Sequence, residues 1–172
     1  MPGKKQKGSA FEREIARDLG TWWCGDPNFL WRTRGSGAHA QRIKKHYGDI
    51  APIDSPASEF PLTIECKFTK SWSLVPILEG RERATLYKYW RQLEREKRPG
   101  TLGVLLAKGN RTPIYAAISQ WDALRLHVQR DSAVLLYVPS PAIVLMRYDD
   151  FKSVVPQAGI RELYGPRHSD WT

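Results

Sequence analysis

Ile64-Glu65-Cys66-Lys67-Phe68 is the segment whose residue types and spacing point most directly to chemistry. Side chains of a strand alternate faces. Ile64, Cys66 and Phe68 then turn to the core, while Thr63, Glu65 and Lys67 turn to the other face. A carboxylate and an ammonium are thereby held on one rigid face. Upstream, Gly48-Asp49-Ile50 opens a second candidate strand. If the two strands pair as a hairpin, Asp49 approaches Glu65. Two converging carboxylates repel each other, and a bound Mg²⁺, with Mn²⁺ as its substitute, removes that cost. Mg²⁺ takes one or two protein carboxylates and leaves its other positions to water and phosphate oxygens. Lys67 beside it would orient or deprotonate an attacking water, or stabilise charge building on a phosphate. Taken alone, Glu65 and Lys67 also fit the exposed polar face of an amphipathic strand, and Gly-Asp is an ordinary turn pair.

Glu12 is the third carboxylate of interest. Ser9-Ala10-Phe11-Glu12 has capping-box spacing and predicts a helix start. Phe11, Ile15, Leu19 and Trp22 recur at helical spacing and form its buried stripe. Glu12 falls beside the centre of that arc, and Glu14 lies about 160° away toward solvent at 3.6 residues per turn. The face that carries Glu12 is expected to meet the sheet that carries Glu65 and Lys67. A carboxylate there is costly unless it is paired, hydrogen-bonded or near a metal. Glu12 completes the capping box, joins the metal-binding set, or does both. His39 and His46 have no His or Cys partner at zinc spacing and read as loop residues or phosphate contacts.

The elements that must position these residues follow from pattern. Trp31 to Gly37 begins extended and ends in a Gly-flanked turn. Residues 47–53 and 62–68 read as strands, with a Pro- and Ser-containing turn at 54–61 between them. A short strand at 73–77 precedes a helix at 82–97, with Leu86, Tyr89, Trp90 and Leu93 on one side and Pro99-Gly100 as its stop. The apolar run 101–107 reads as a buried strand. Strand 114–119, a short helix at 119–126 and a hairpin of 134–138 with 143–146 follow. The last twenty or so residues are expected to be loosely held. This order predicts an α/β fold, a central sheet with helices packed on it, in a single domain over residues 1–172.

The charge is uneven. The formal net charge is +9, from 27 Lys and Arg against 18 Asp and Glu. Residues 1–50 carry ten basic against five acidic side chains, and residues 81–111 carry nine against three. Residues 51–80 between them hold two against four. Phosphate backbones suit the flanking blocks, and a divalent cation suits the acidic middle. No run of about 18 apolar residues offers a membrane span, and two cysteines cannot build a disulfide framework or a four-ligand zinc site. A cytoplasmic protein with a polyanionic partner and no membrane is the expected class.

Four elements in order carry a family resemblance: Lys7-Gly8-Ser9-Ala10-Phe11-Glu12-Arg13-Glu14, Arg32-Thr33-Arg34-Gly35-Ser36-Gly37, Gly48-Asp49-Ile50 and Ile64-Glu65-Cys66-Lys67. Together they resemble the archaeal-type Holliday junction resolvases of the PD-(D/E)xK nuclease superfamily, over about residues 4–120. Residues 121–172 would be a C-terminal extension of the same domain. The resemblance implies a restriction-endonuclease-like central mixed β-sheet flanked by α-helices. It also implies Mg²⁺-dependent cleavage of four-way DNA junctions by a homodimer. Glu12, Asp49, Glu65 and Lys67 would be the catalytic set. Asp49, Glu65 and the Cys66 carbonyl, with Glu12 as a further candidate, would hold the metal. Lys4, Lys5, Lys7, Arg13, Arg32, Arg34 and Ser36 would contact DNA. Gly48 stands where the family has proline, and the gap from Asp49 to Glu65 is longer than in compact members. Some of Leu86, Tyr89, Trp90 and Leu93 are candidates for the dimer interface, and the competing reading is that this stripe packs on its own sheet. The alternatives are a restriction-type or repair endonuclease of the same superfamily, or a non-catalytic DNA-binding protein.

Overall fold

The structure is a computed structural model that describes residues 4–33, 47–53, 59–70, 73–79, 81, 85–128 and 134–166. Its first helix, α1 (Lys4–Cys24), starts well before Ser9. Lys4, Lys5, Gln6 and Lys7 are good helix formers and extend the helix N-terminally. Ser9 therefore lies inside α1, and Glu12 has no capping role. The buried stripe of α1 is Phe11, Ile15, Leu19 and Trp23, where Trp22 was expected. Trp22 is half-buried and donates its Nε1–H to the carbonyl of Lys152 at 3.0 Å.

Two short strands follow, β1 (Leu30–Arg32) and β2 (Ile50–Pro52). They pair antiparallel with each other, Arg32 opposite Ile50. The expected hairpin of β2 with β3 (Leu62–Phe68) does not form. β3 pairs instead in parallel with β4 (Leu102–Lys108), Glu65 opposite Leu105. Apolar patterning marks a strand as buried but does not name its partner, and here the partner lies beyond an intervening helix. Residues 73–77, expected as a strand, contribute to a short helix, α2 (Val75–Leu78), that has Pro76 in its first turn. Helix α3 (Thr85–Glu96) crosses from β3 to β4. The turn after it is clipped to β3, since the Oγ1 atoms of Thr63 and Thr101 bond at 2.7 Å and Thr101 Oγ1 also donates to the Arg98 carbonyl.

β5 (Ile114–Ser119), β6 (Val134–Val138) and β7 (Ile143–Arg147) complete a five-stranded mixed sheet of order β3-β4-β5-β7-β6, which leaves β3 at one edge. Helix α4 (Gln120–Arg125) is capped by Ser119, whose Oγ accepts from the Asp122 N–H at 2.9 Å. Helix α5 (Tyr148–Val154) follows, and the last twenty or so residues, expected to be loose, form α6 (Gln157–Tyr164), with 167–172 outside the described residues. Phe151 and Ile160 on these helices are fully buried in the cluster that holds α1. Among the described residues no helix is long and apolar enough to cross a membrane.

The two faces of the sheet carry different cores. Ile64 and Cys66 of β3 join Phe11, Ile15 and Leu19 of α1 with Val104 and Leu106 of β4. Leu105 and Ala107 of β4 face the opposite way and pack with Leu86, Trp90 and Leu93 of α3. The apolar stripe of α3 is thus covered by its own sheet, the second of the two readings of these residues, and not by a dimer partner. Tyr87 is the fourth buried residue of α3, and Tyr89 is half-buried at the edge of that face.

Candidate active site at the edge of β3

Alternation along β3 sends Ile64 and Cys66 toward α1, and Thr63, Glu65 and Lys67 toward α3, as expected from the residues. Glu65 is not on an exposed polar face, however. It is 3% exposed. Lys67 Nζ forms an ion pair with Glu65 Oε1 and lies 5.6 Å from the ring centroid of Tyr89. The ammonium pairs with the buried Oε1 and offsets its charge. Helical spacing alone puts Tyr89 on the core stripe of α3, and this hides its place beside Lys67.

Asp49 reaches β3 from outside the sheet. Its backbone N–H donates to the Ile64 carbonyl at 2.8 Å, and its Oδ2 accepts from the Cys66 N–H at 2.8 Å. Ile64 and Cys66 are two residues apart, so both present their backbone groups to the outer edge of β3. The N–H and C=O of one strand residue point to the same side. The Cys66 carbonyl therefore shares that edge with Asp49. Thr33 fastens the segment from the other side. Its N–H donates to the Asp49 carbonyl, and its Oγ1 donates to the Gly48 carbonyl, both at 2.9 Å.

This close approach depends on Gly48, whose φ is +76°. A Cβ on Gly48 would lie 2.5 Å from the Ile64 carbonyl oxygen. Proline, with φ fixed near −65°, does not fit this conformation either. Gly48→Ala should therefore displace Asp49 and cost about 1–3 kcal/mol of stability, the usual scale for an incompatible backbone. Urea melts would check this, and an unchanged midpoint would contradict it.

Burial first, then the neighbouring Glu65, pushes the Asp49 carboxyl up to about 7. Burial also raises Glu65, against the opposing pull of Lys67. Burial lowers Lys67, but Glu65 and then Asp49 outweigh it, so the ammonium stays protonated at neutral pH. Cys66 is a neutral thiol, raised by burial. Two carboxylates held above their usual range in one place are the condition that a divalent cation relieves. Among the described residues no three His, Cys, Asp or Glu side chains form a ready cage. The donor set of Asp49, Glu65 and the Cys66 carbonyl nonetheless fits Mg²⁺, which binds through one or two carboxylates and keeps several waters.

The sign of the pH dependence follows. A carboxyl raised in the folded state binds its proton more tightly there than in the unfolded chain. Through Asp49 alone, metal-free protein should lose stability as pH rises from about 4 to about 7, with a slope of no more than roughly 1.4 kcal/mol for each pH unit crossed, and Glu65 acts in the same direction. Glu96, held low by Arg95, acts the other way but weakly, because solvent screens it. Thermal melts in EDTA should show a lower Tm at pH 8 than at pH 5, with added Mg²⁺ recovering more at pH 8. A Tm that rises with pH would contradict this.

The face of α1 that carries Phe11 meets β3, as expected, so Glu12 stands on the α1 side of the sheet and Glu65 on the opposite side. Its charge still raises both Asp49 and Glu65. Glu12 Oε2 is paired with Arg32 Nε of β1, so the guanidinium expected on a phosphate is held by a carboxylate in the DNA-free protein. Arg13 is exposed on α1 and Lys7 is half-buried. Arg34, Ser36, His39 and His46, and the side chains of Lys4 and Lys5, lie outside the described residues. The Glu12–Arg32 pair and the role of Thr33 carried no sequence signal, because both depend on how β1 is threaded between α1 and β3.

A mixed sheet flanked by helices, with a carboxylate delivered to the edge of a Glu-x-Lys strand, defines a restriction-endonuclease-like fold. A family model described as phage putative PDDEXK endonuclease matches residues 3–139, and the chain belongs to that family of nucleases. No curated protein and no solved structure matches the chain.

Proposed function

We propose that the protein is a divalent-metal-dependent endodeoxyribonuclease acting on branched DNA, with four-way junctions as its principal substrate. The observation that carries the nuclease reading is the meeting of Asp49, Glu65 and Lys67 at the edge of β3. Asp49, Glu65 and the Cys66 carbonyl would hold Mg²⁺ or Mn²⁺, with Glu12 as a further candidate. When bound, the cation would supply Lewis-acid stabilisation of the phosphate and a more acidic attacking water. Lys67, protonated, acts as a cation toward the phosphate and not as the base. Glu12 adjusts the field at both carboxylates and holds Arg32. The basic blocks position the DNA backbone.

Branched-DNA selectivity rests on the resemblance of the four motifs to the junction resolvases, and two sites cutting opposing strands would require a homodimer. The α3 stripe is not available for that dimer. A restriction-type endonuclease fits the family membership no worse. A pure DNA-binding protein fits less well, because buried carboxylates turned toward phosphate oppose binding.

The test is a panel of matched four-way, three-way and linear duplex DNAs with Mg²⁺. The proposal expects four-way junctions to be cut at least about tenfold faster than the duplex of the same sequence. Equal rates on all three, or cutting at one sequence regardless of shape, would favour the restriction-type reading.

A further inference from the structure

Beside the pair of Glu12 and Arg32 runs a cleft of about 290 Å³ that the catalytic reading does not use. Its floor is apolar, formed by the buried Ala16 of α1 and Leu30 of β1. Arg13 and Arg17, exposed and one helical turn apart on α1, line one wall. Arg32 and Trp31 of β1 line the other, and Trp31 is 39% exposed. Trp31 and three arginines thus line one cleft. Its chemistry matches a flat, partly apolar base joined to an anionic phosphate. The volume lies at the small end of ligand sites and suits one nucleotide, not a paired helix. Both bases of a pair are already stacked and hydrogen-bonded within a duplex, so only an unpaired one can be received at this cleft.

We infer that this cleft receives a single unpaired nucleotide of the DNA substrate, stacked on Trp31 with its phosphate held by Arg13 and Arg17. This rests on the nuclease reading and not on the choice of four-way junctions, whose arms can be fully paired, and gives it a substrate feature: an unpaired nucleotide next to the position to be cut. Arg32 connects the two places, since it lines the cleft and pairs with Glu12. The commitment is to a nucleotide within DNA and not a free one, because the cleft is continuous with the residues that would meet the scissile strand.

The experiment compares a duplex carrying one bulged 2-aminopurine with the fully paired duplex, both bound in EDTA so that no cutting occurs. Wild-type protein should bind the bulged DNA roughly five- to 150-fold more tightly, the range for one base stacked on an aromatic side chain. It should also quench the 2-aminopurine fluorescence. Trp31→Ala should abolish the quenching and the preference, and Trp31→Phe should keep most of both. Arg17→Ala, which removes an exposed side chain, should reduce the preference with the quenching retained, and it carries the test if Trp31→Ala does not fold. Equal binding of the two duplexes, or quenching that persists in a folded Trp31→Ala protein, overturns the inference. Competition by free 2-aminopurine nucleotide at micromolar concentration overturns the commitment to DNA. Cleavage is read separately in Mg²⁺. Cutting without any bulge preference defeats this inference alone, and a bulge preference without cutting defeats the nuclease reading alone.

Discussion

Asp49→Asn and Glu65→Gln should each lose DNA cleavage by about a thousandfold or more, while gel shifts with junction DNA remain as strong as wild type or stronger. Each substitution removes half of the carboxylate pair at the β3 edge, and with it several kcal/mol of transition-state stabilisation that depends on a bound cation. Asn keeps an oxygen that can accept from the Cys66 N–H, so the Asp49 segment should stay on β3. In metal-free buffer Asp49→Asn should be more stable than wild type at pH 8, because it removes a buried charge repelled by Glu65. Binding should hold or tighten because a negative charge facing phosphate has been removed. Single-turnover cleavage and gel shifts on the same DNA read the two effects apart. A variant that cuts at the wild-type rate, or that fails to bind, contradicts the assignment.

The second large effect separates two acidic neighbours on α1. Glu12→Gln should slow cleavage by about a hundredfold, the cost of a small misplacement in a positioned site. Glu14→Gln should cut at close to the wild-type rate. Glu12 is half-buried, paired with Arg32, and adds to the field at both Asp49 and Glu65. Glu14 is exposed and pairs with the ammonium of Lys108, at 3.4 Å. Folding stability should change by no more than about 1 kcal/mol in either variant, the scale of a solvent-accessible ion pair. Loss of activity in Glu14→Gln, or loss in Glu12→Gln through unfolding in a thermal melt, would contradict this placement of α1.

The site was more legible than the topology around it. Glu65 and Lys67 could be placed on one face of a strand because alternation is a local property, and the turn of α1 that carries Glu12 follows from helical period alone. Asp49 was visible as a carboxylate after a glycine, but the route that brings it to β3 was not. The sequence suggested a hairpin, whereas β2 pairs with β1 and only two hydrogen bonds join Asp49 to β3. The parallel partner of β3 lies beyond α3, and strand pairing at that range leaves no local mark. Ser9 looked like a helix start because cap residues and helix-interior residues overlap, and Lys4 to Lys7 favour helix. Trp22 and Trp23 are adjacent, so a small difference in helix rotation decides which is buried. The last twenty or so residues were expected to be loose from their position in the chain, yet Ile160 buries completely. Burial of specific apolar residues, not distance from the end, decides such a case.

The most direct test of the central claim is to incubate the wild-type protein with end-labelled DNA in Mg²⁺ and, in parallel, in EDTA. The account predicts strand scission in Mg²⁺ and none in EDTA, with the DNA still bound. Scission that continues in EDTA, or intact DNA in both Mg²⁺ and Mn²⁺ with folded, DNA-bound protein, would contradict it.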